Sequence, residues 1–194
     1  MRRTMAVVFT ALLMSMALPL FAQAPPGPLQ DDFCAWMVGK WEGTTESTMG
    51  KSNDEMEVDW DLEHQFIEMR FKSKVAETDP AKLEAMAKAM GATKEQMLTP
   101  YKGRGMMTMN PQTKEFISYW FDSMRGVYQG KGKHEGNVIT TNWESAMGTE
   151  VRTIEKAGAD KMVMTFKGKG PDGKEMSGTT TLMRKVKKEK GGKS

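Results

Sequence analysis

The chain has 194 residues, 27% of them charged, with 28 basic against 25 acidic side chains and a formal charge of +3. So small an excess offers nothing general to a nucleic-acid backbone, and a single cysteine, Cys34, excludes an intramolecular disulfide. Beyond the N-terminal stretch, no run approaches the ~20 apolar residues of a membrane-spanning helix.

Arg2 and Arg3, an apolar run from Met5 to Phe21 and the small residues Ala22-Gln23-Ala24 have the form of a secretory signal peptide, residues 1–24. Cleavage is expected after Ala24, or after Ala22 because Pro25 is a poor residue to follow a cut. No cysteine lies close enough behind to be lipidated. Removing the leader brings the charge near neutrality and leaves enough chain for one domain, 25–186. The expected product is periplasmic or secreted. At the other end, in RKVKKEKGGKS, no apolar residue follows Val186, so 187–194 is expected to be a disordered basic tail. Its closing Gly-Lys-Ser is not a phosphate loop, since Lys187 stands where the first glycine belongs.

From Trp41 the chain falls into about ten runs of strand length: KWEGTTEST, EMEVDWDL, QFIEMRFKSK, GRGMMTMN, EFISYWFDSM, GVYQGKGK, NVITTNWES, EVRTIEKA, KMVMTFKG and EMSGTTTLMRK. The breaks carry turn chemistry: Pro111 in NPQTK, Gly136 in KHEGN, Gly158 in KAGAD and Asp172-Gly173 in GPDGK. Consecutive strands are therefore expected to pair antiparallel. One segment, 79–98, reads as a helical insertion. Asp79 is its N-cap and Pro80 its first helical residue; Leu83, Met86, Ala87 and Met90 share a stripe, and Gly91 ends the turn. A second short helix opens on a capping box, Thr93 with Gln96, and stops at Pro100. The apolar stripe has to lie on something, and in a barrel that is often an open end.

EMEVDWDL alternates without fault: Met56, Val58, Trp60 and Leu62 against Glu55, Glu57, Asp59 and Asp61. A hairpin centred on Glu63-His64 sets Trp60 opposite Ile67, Val58 opposite Met69 and Met56 opposite Phe71, all on one apolar side. The reverse side then pairs Glu57 with Arg70 and Glu55 with Lys72, and leaves Asp59 facing Glu68 unless Arg70 bridges them diagonally. This register sends Ile67, Met69 and Phe71 inward and Glu68 and Arg70 outward; a loop of odd length would invert it. EFISYWFDSM is bulky on both faces and reads as a strand covered on both sides. Its Tyr119 and Trp120 carry polar atoms able to orient a ligand or make structural hydrogen bonds.

Gly39-Lys40-Trp41 resembles the G-x-W motif of the calycins, the lipocalin and fatty-acid-binding-protein superfamily, in which the Trp packs across the closed barrel end against a basic residue of the last strand; Arg184 stands at that place. Together with QFIEMRFKSK, KEFISYWFDSM and GPDGKEMSGTTTLMRK, the order is similar to the bacterial family catalogued as domain of unknown function 1579, from about Phe33 to Lys185. The resemblance implies a closed antiparallel up-and-down barrel of about 8 to 10 strands, lipocalin-like, with no agreed activity. Where that family often has Gly-Gly before FIEMRF, this chain has Glu63-His64. The C-terminal histidine of nitrobindin-like haem barrels has no counterpart, and the Arg-x-Tyr of fatty-acid-binding proteins is replaced after Arg184 by Lys185 and Val186.

The reading that follows is a barrel binding a small, apolar molecule in its interior, with Trp60, Ile67, Met69, Phe71, Met107 and Tyr119 lining it and Glu68 or Arg70 as polar anchors if the register inverts. Gly39, Trp41 and Arg184 close the barrel. No cofactor, metal or catalytic residue is expected. Two other readings stay open. Thioethers at Met106, Met107, Met109, Met162 and Met164 can bind Cu(I), or an exposed apolar patch can serve an envelope partner. A carboxylate-based enzyme would need Glu68 and Asp122 brought together.

Overall fold

The computed structural model describes residues 27–77, 79–89, 91–146, 148–169 and 173–186; the expected leader, the basic tail and Met90 lie outside them. Helix α1 (Asp32–Met37) precedes strands β1 (Gly39–Ser47), β2 (Gly50–Asp61) and β3 (Phe66–Val75). Helices α2 (Pro80–Ala89) and α3 (Lys94–Leu98) follow. Then come β4 (Tyr101–Met109), β5 (Phe116–Asp122), β6 (Val127–Glu135), β7 (Val138–Ser145), β8 (Gly148–Lys156), β9 (Lys161–Lys169) and β10 (Glu175–Arg184). The ten strands close into one barrel in sequence order, β10 pairing back onto β1, with every neighbour antiparallel. No described helix is long and apolar enough to cross a membrane.

The β2–β3 register is the one the alternation dictates: Trp60 opposes Ile67, Val58 opposes Met69 and Glu57 opposes Arg70. The turn is a two-residue reversal in which Gln65 N donates to Leu62 O at 3.0 Å. Leu62, Glu63 and His64 all hold positive φ, at 46°, 55° and 62°. That conformation matches the right-handed strand twist but disfavours side chains with a Cβ. His64 regains something by stacking flat on Trp60, ring centroids 5.1 Å apart.

The two barrel ends differ. At one, α1 is a plug. Asp31 caps it by accepting from Cys34 N at 2.8 Å, and Phe33, Cys34 and Met37 are buried in a core with Trp41, Val58, Ile67, Met107, Phe116, Ile139, Met162 and Leu182. A short helix ends with unpaired carbonyls, and the barrel wall supplies the donors. Trp41 Nε1 donates to Met37 O at 2.8 Å, while Arg184 donates from Nη2 to Trp36 O at 2.6 Å and from Nη1 to Val38 O at 2.8 Å. The guanidinium lies 4.1 Å over the Trp41 ring. Gly39 is needed for this approach, since with φ at 137° a Cβ there would sit 2.7 Å from Arg184 Nη1.

At the opposite end, the β3–β4 connection carries α2 and α3. Leu83 and Ala87 are buried, and Met86 reaches Gly50 at the β1–β2 turn, so the stripe rests on the rim. The capping box of Thr93 and Gln96 is formed.

Candidate functional site

Partner pairs followed round the barrel show which side chains share the bore. Around α1 the inward positions are apolar and buried: Val58, Ile67, Met107, Ile139, Ile154, Met162 and Leu182. Toward the other end they become half-buried, aromatic and polar: Phe71, Tyr101, Trp120, Asp122, Tyr128, Trp143, Glu150, Arg152 and Phe166. The bore is therefore apolar in one half and mixed in the other, where the inward Asp122, Glu150 and Arg152 correct the expectation of an apolar lining. Half-exposure of inward side chains means that this half is reached from outside.

Glycines shape its wall. Inward Gly103 and Gly105 lie under the Trp120 indole, Gly130 under Trp143 and Gly178 under Phe166, each without room for a Cβ. The large rings thus lie flat against the strands instead of meeting at the centre. Trp120 Nε1 donates to Tyr101 Oη at 2.9 Å, and Tyr101 Oη donates to Asp122 Oδ2 at 3.4 Å. Arg152 donates to Glu150 Oε1 from Nε at 2.8 Å and stands 5.9 Å over Phe166. Burial pushes the Tyr101 phenol well above its ordinary value, opposed by the Trp120 hydrogen bond; Asp122 adds to the rise and Arg152 acts against it. Tyr128 is raised for the same first reason, burial, and then by Asp122. Both hydroxyls remain protonated donors at neutral pH. On the neighbouring wall Asp54, also buried, accepts from Thr45 Oγ1 at 2.5 Å and Ser52 Oγ at 2.8 Å.

Two buried polar atoms in this bore have no hydrogen-bond partner among the described residues: Ser118 Oγ, on a residue 1% exposed, and Trp143 Nε1. They belong to one row, since Ser118 opposes Gly130 and Gly130 opposes Trp143. A buried donor left unmade costs about 1–3 kcal/mol, so such atoms mark places where a ligand or ordered water belongs.

The residues singled out from sequence fall into three groups. Ile67, Met69 and Met107 are buried inside, with Trp60 and Phe71 half-buried and inward, the first three packed in the core cluster. Tyr119 is a correction: it faces outward and is 43% exposed, because Phe116, Ser118 and Trp120 take the inward parity of β5. The outer face of β5 is accordingly uncovered, against expectation. Glu68 and Arg70 are also outside the barrel and cannot anchor anything in its bore. Glu68 is nonetheless only 5% exposed, held by ion pairs to Arg70 and Arg104, and Arg70 also pairs with Asp59 and Glu57. The diagonal bridge expected for Asp59 and Glu68 is present. Glu68 outside and Asp122 inside lie on opposite faces of the wall, so they form no carboxylate pair. Of the thioethers, Met106 points out, whereas Met107 and Met162 are buried in the apolar core cluster with Met109 and Met164 packed against it.

Two open concavities flank the barrel. A trough of about 780 Å³ on the outer face of β1 to β5 includes Lys40, Glu57, Arg70, Lys102 and Lys185. Most of its charges are already paired, as Lys40 with Glu57 and Lys185 with Glu42, so it reads as a solvated ion-pair lattice. A second, of about 670 Å³, lies beside α1 between Asp31, Trp60 and His134. There His134 Nδ1 is 3.2 Å from Asp31 Oδ2, joining the plug to β6.

Sequence reasoning passed over α1, Tyr101, Tyr128, Trp143, Arg152 and Phe166. The signal for α1 was Asp31 followed by Phe33, Trp36 and Met37 at helical spacing. For the bore it was Tyr128, Gly130 and Gly132 at one parity, a large ring followed by two absent side chains.

These features define a closed, ten-stranded lipocalin-like barrel, plugged at one end and reached from the other. Among solved structures the chain is similar to the S-type phycobiliprotein lyase CPES from Guillardia theta, with 12% identity over 81% of this chain and 93% of that one and a TM-score of 0.56. It is also similar to Rv2717c from M. tuberculosis, with 10% identity over 81% of this chain and 99% of that one and a TM-score of 0.57. At such identities the likeness is one of fold. No family model matches the chain, and no curated protein does.

Proposed function

We propose that the chain is exported and that its barrel binds a small, largely apolar molecule in the half of the bore opposite α1. The supporting observation is the buried row containing Ser118 Oγ and Trp143 Nε1, two partnerless polar atoms beside aromatic rings laid flat on a glycine wall. The ligand that fits is flat or slender, stacks on Trp120, Trp143 or Phe166, and offers an acceptor to the indole N–H. The fold shared with a phycobiliprotein lyase is compatible with a small-molecule role. The resemblance of its motifs to the domain of unknown function 1579 family, described as lipocalin-like, is in keeping with this reading, and the export proposal rests on the form of residues 1–24.

The test is native mass spectrometry of protein recovered from the cell envelope, followed by extraction and a thermal-stability screen with apolar aromatic compounds. A bound small molecule, lost on substituting Trp143 with Phe, is the expected result. Protein that carries nothing and is stabilised by no compound would remove the reading.

A further inference from the structure

Three of the exposed large apolar side chains, Phe121, Met124 and Val127, gather at one place. At the open end, Phe121 and Val127 form an outward pair at the tips of β5 and β6, and the turn between them lifts Met124 to 80% exposure. This turn is ordered. Asp122 Oδ1 accepts from Met124 N and Gly126 N, each at 2.8 Å, and Arg125 N donates to Asp122 O at 3.1 Å with Arg125 at a φ of 67°. The backbone is fixed in a shape that holds Met124 out, where a floppy loop would let it fold back on the barrel.

The outward charges on β4 and in the turn are basic, while Glu144, opposite Gln129 on the β7 side, is the nearest outward acid across β6. Lys102 and Arg104 occupy the adjoining outward positions of β4, Arg104 directly opposite Phe121, and Arg125 sits in the turn itself. Arg104 is engaged by Glu68, whereas Lys102 and Arg125 have no acidic partner among the described residues. Further along β6, Lys131 and Lys133 face outward, and the first acid on that face is Glu135 at its far end. Across β3 and β4, Lys72 directly opposes Lys102, a like-charge pair that a sheet disfavours.

We propose that this tip docks the barrel mouth on an anionic lipid surface, with Phe121, Met124 and Val127 entering the headgroup layer and Lys102 and Arg125 meeting lipid phosphates. The arrangement fits a membrane better than a protein: Met124 and Val127 stand on a projecting turn and strand tip, with only Phe121 bordering the outer trough, and the cations sit at the base of the turn where their stems can snorkel. The exposed Phe121, Met124 and Val127 equally argue against a purely ionic partner. The same Asp122 that orders the tip takes Tyr101 inside the mouth, so the docking face adjoins the opening of the bore. The inference stands whether or not the barrel carries a ligand.

The test uses the chain from 25 to 186, which contains every described strand and the core but neither the apolar leader nor the basic tail, so that only the barrel is read. It is sedimented with vesicles of phosphatidylglycerol and of phosphatidylcholine at low and high salt. Binding to the anionic vesicles, weakened by salt, is expected. Met124→Ser with Val127→Ser should lower partitioning by about tenfold or more, and Arg125→Asn, a residue that accepts the same φ, by about fivefold. Unchanged thermal melting of the variants excludes misfolding. Absence of binding to phosphatidylglycerol, or binding that the variants leave intact, overturns the proposal. So does concentration-dependent self-association abolished by the Met124 variant, which would assign the tip to a second copy of the chain.

Discussion

Leu62, Glu63 and His64 hold the left-handed conformation in succession with no glycine among them. Such a residue costs on the order of 1 kcal/mol relative to glycine. Glu63→Gly should therefore raise unfolding stability by roughly that amount in urea titrations, without altering the register that the flanking alternation fixes. His64→Gly should gain less, because it gives up the stack on Trp60. A second residue-scale effect concerns protons. Burial pushes the Cys34 thiol far above its ordinary 9.0, helped by Asp31, and the Tyr101 phenol above 10.0. Above those ordinary values the unfolded chain has released its proton while the folded chain still holds it. The unfolded state then binds fewer protons, and stability falls as pH rises. Denaturation followed from pH 8 upward should show loss beginning near 9 and steepening past 10, approaching about 1.4 kcal/mol per pH unit for each group. Cys34→Ala should move the onset toward 10. Not every residue is legible from sequence: β5 is bulky on both faces, and periodicity cannot tell two apolar faces apart, so the outward position of Tyr119 shows only in the register.

Among elements, α1 contributes most to closing the fold for its length, and it does so through its carbonyl end. Six residues cannot form a stable helix alone; buried Phe33 and Met37, each worth about 1.5–3 kcal/mol, and the donors of Trp41 and Arg184 hold it. Arg184 serves two carbonyls and one indole face at once, which a single ammonium cannot reproduce. Arg184→Lys should cost about 2 kcal/mol in guanidinium unfolding and increase hydrogen exchange at the amides of α1 before those of the sheet. The Gly39-Lys40-Trp41 motif and the β2–β3 pairing were legible because each rests on local rules, a close backbone approach and a strict period of two. The α1 plug was not, since a helix this short owes its existence to side chains more than a hundred residues away in sequence, such as Arg184.

At the scale of the molecule, one sheet surrounds two interiors. The half around α1 is packed with Met, Ile, Leu and Val and behaves as an ordinary core. The other half spends inward positions on glycine, arginine, aspartate and flat-lying rings, choices that do nothing for close packing. The ten-strand meander was readable from turn spacing, but this division was not. In β6 to β9 the inward positions carry Gly, Thr, Arg and Glu, the composition of a solvated face, and only closure of the barrel reveals them as interior. A barrel selected for stability alone would fill that space with aliphatic side chains; leaving Ser118 Oγ and Trp143 Nε1 without partners is a local cost that another role has to explain. The two explanations separate under one substitution. Ser118→Ala removes a hydroxyl that costs the empty protein free energy, so it should stabilise the apo barrel by about 1 kcal/mol in guanidinium unfolding. If the hydroxyl serves a bound molecule, the same change should weaken the affinity of an interior probe such as anilinonaphthalene sulfonate, measured by its fluorescence, by several-fold. Greater stability with undiminished probe affinity would make Ser118 a packing defect and move the binding site elsewhere in the bore. Greater stability with weaker binding is the signature of a position held open for use, because only a ligand can recover what the empty fold gives up there.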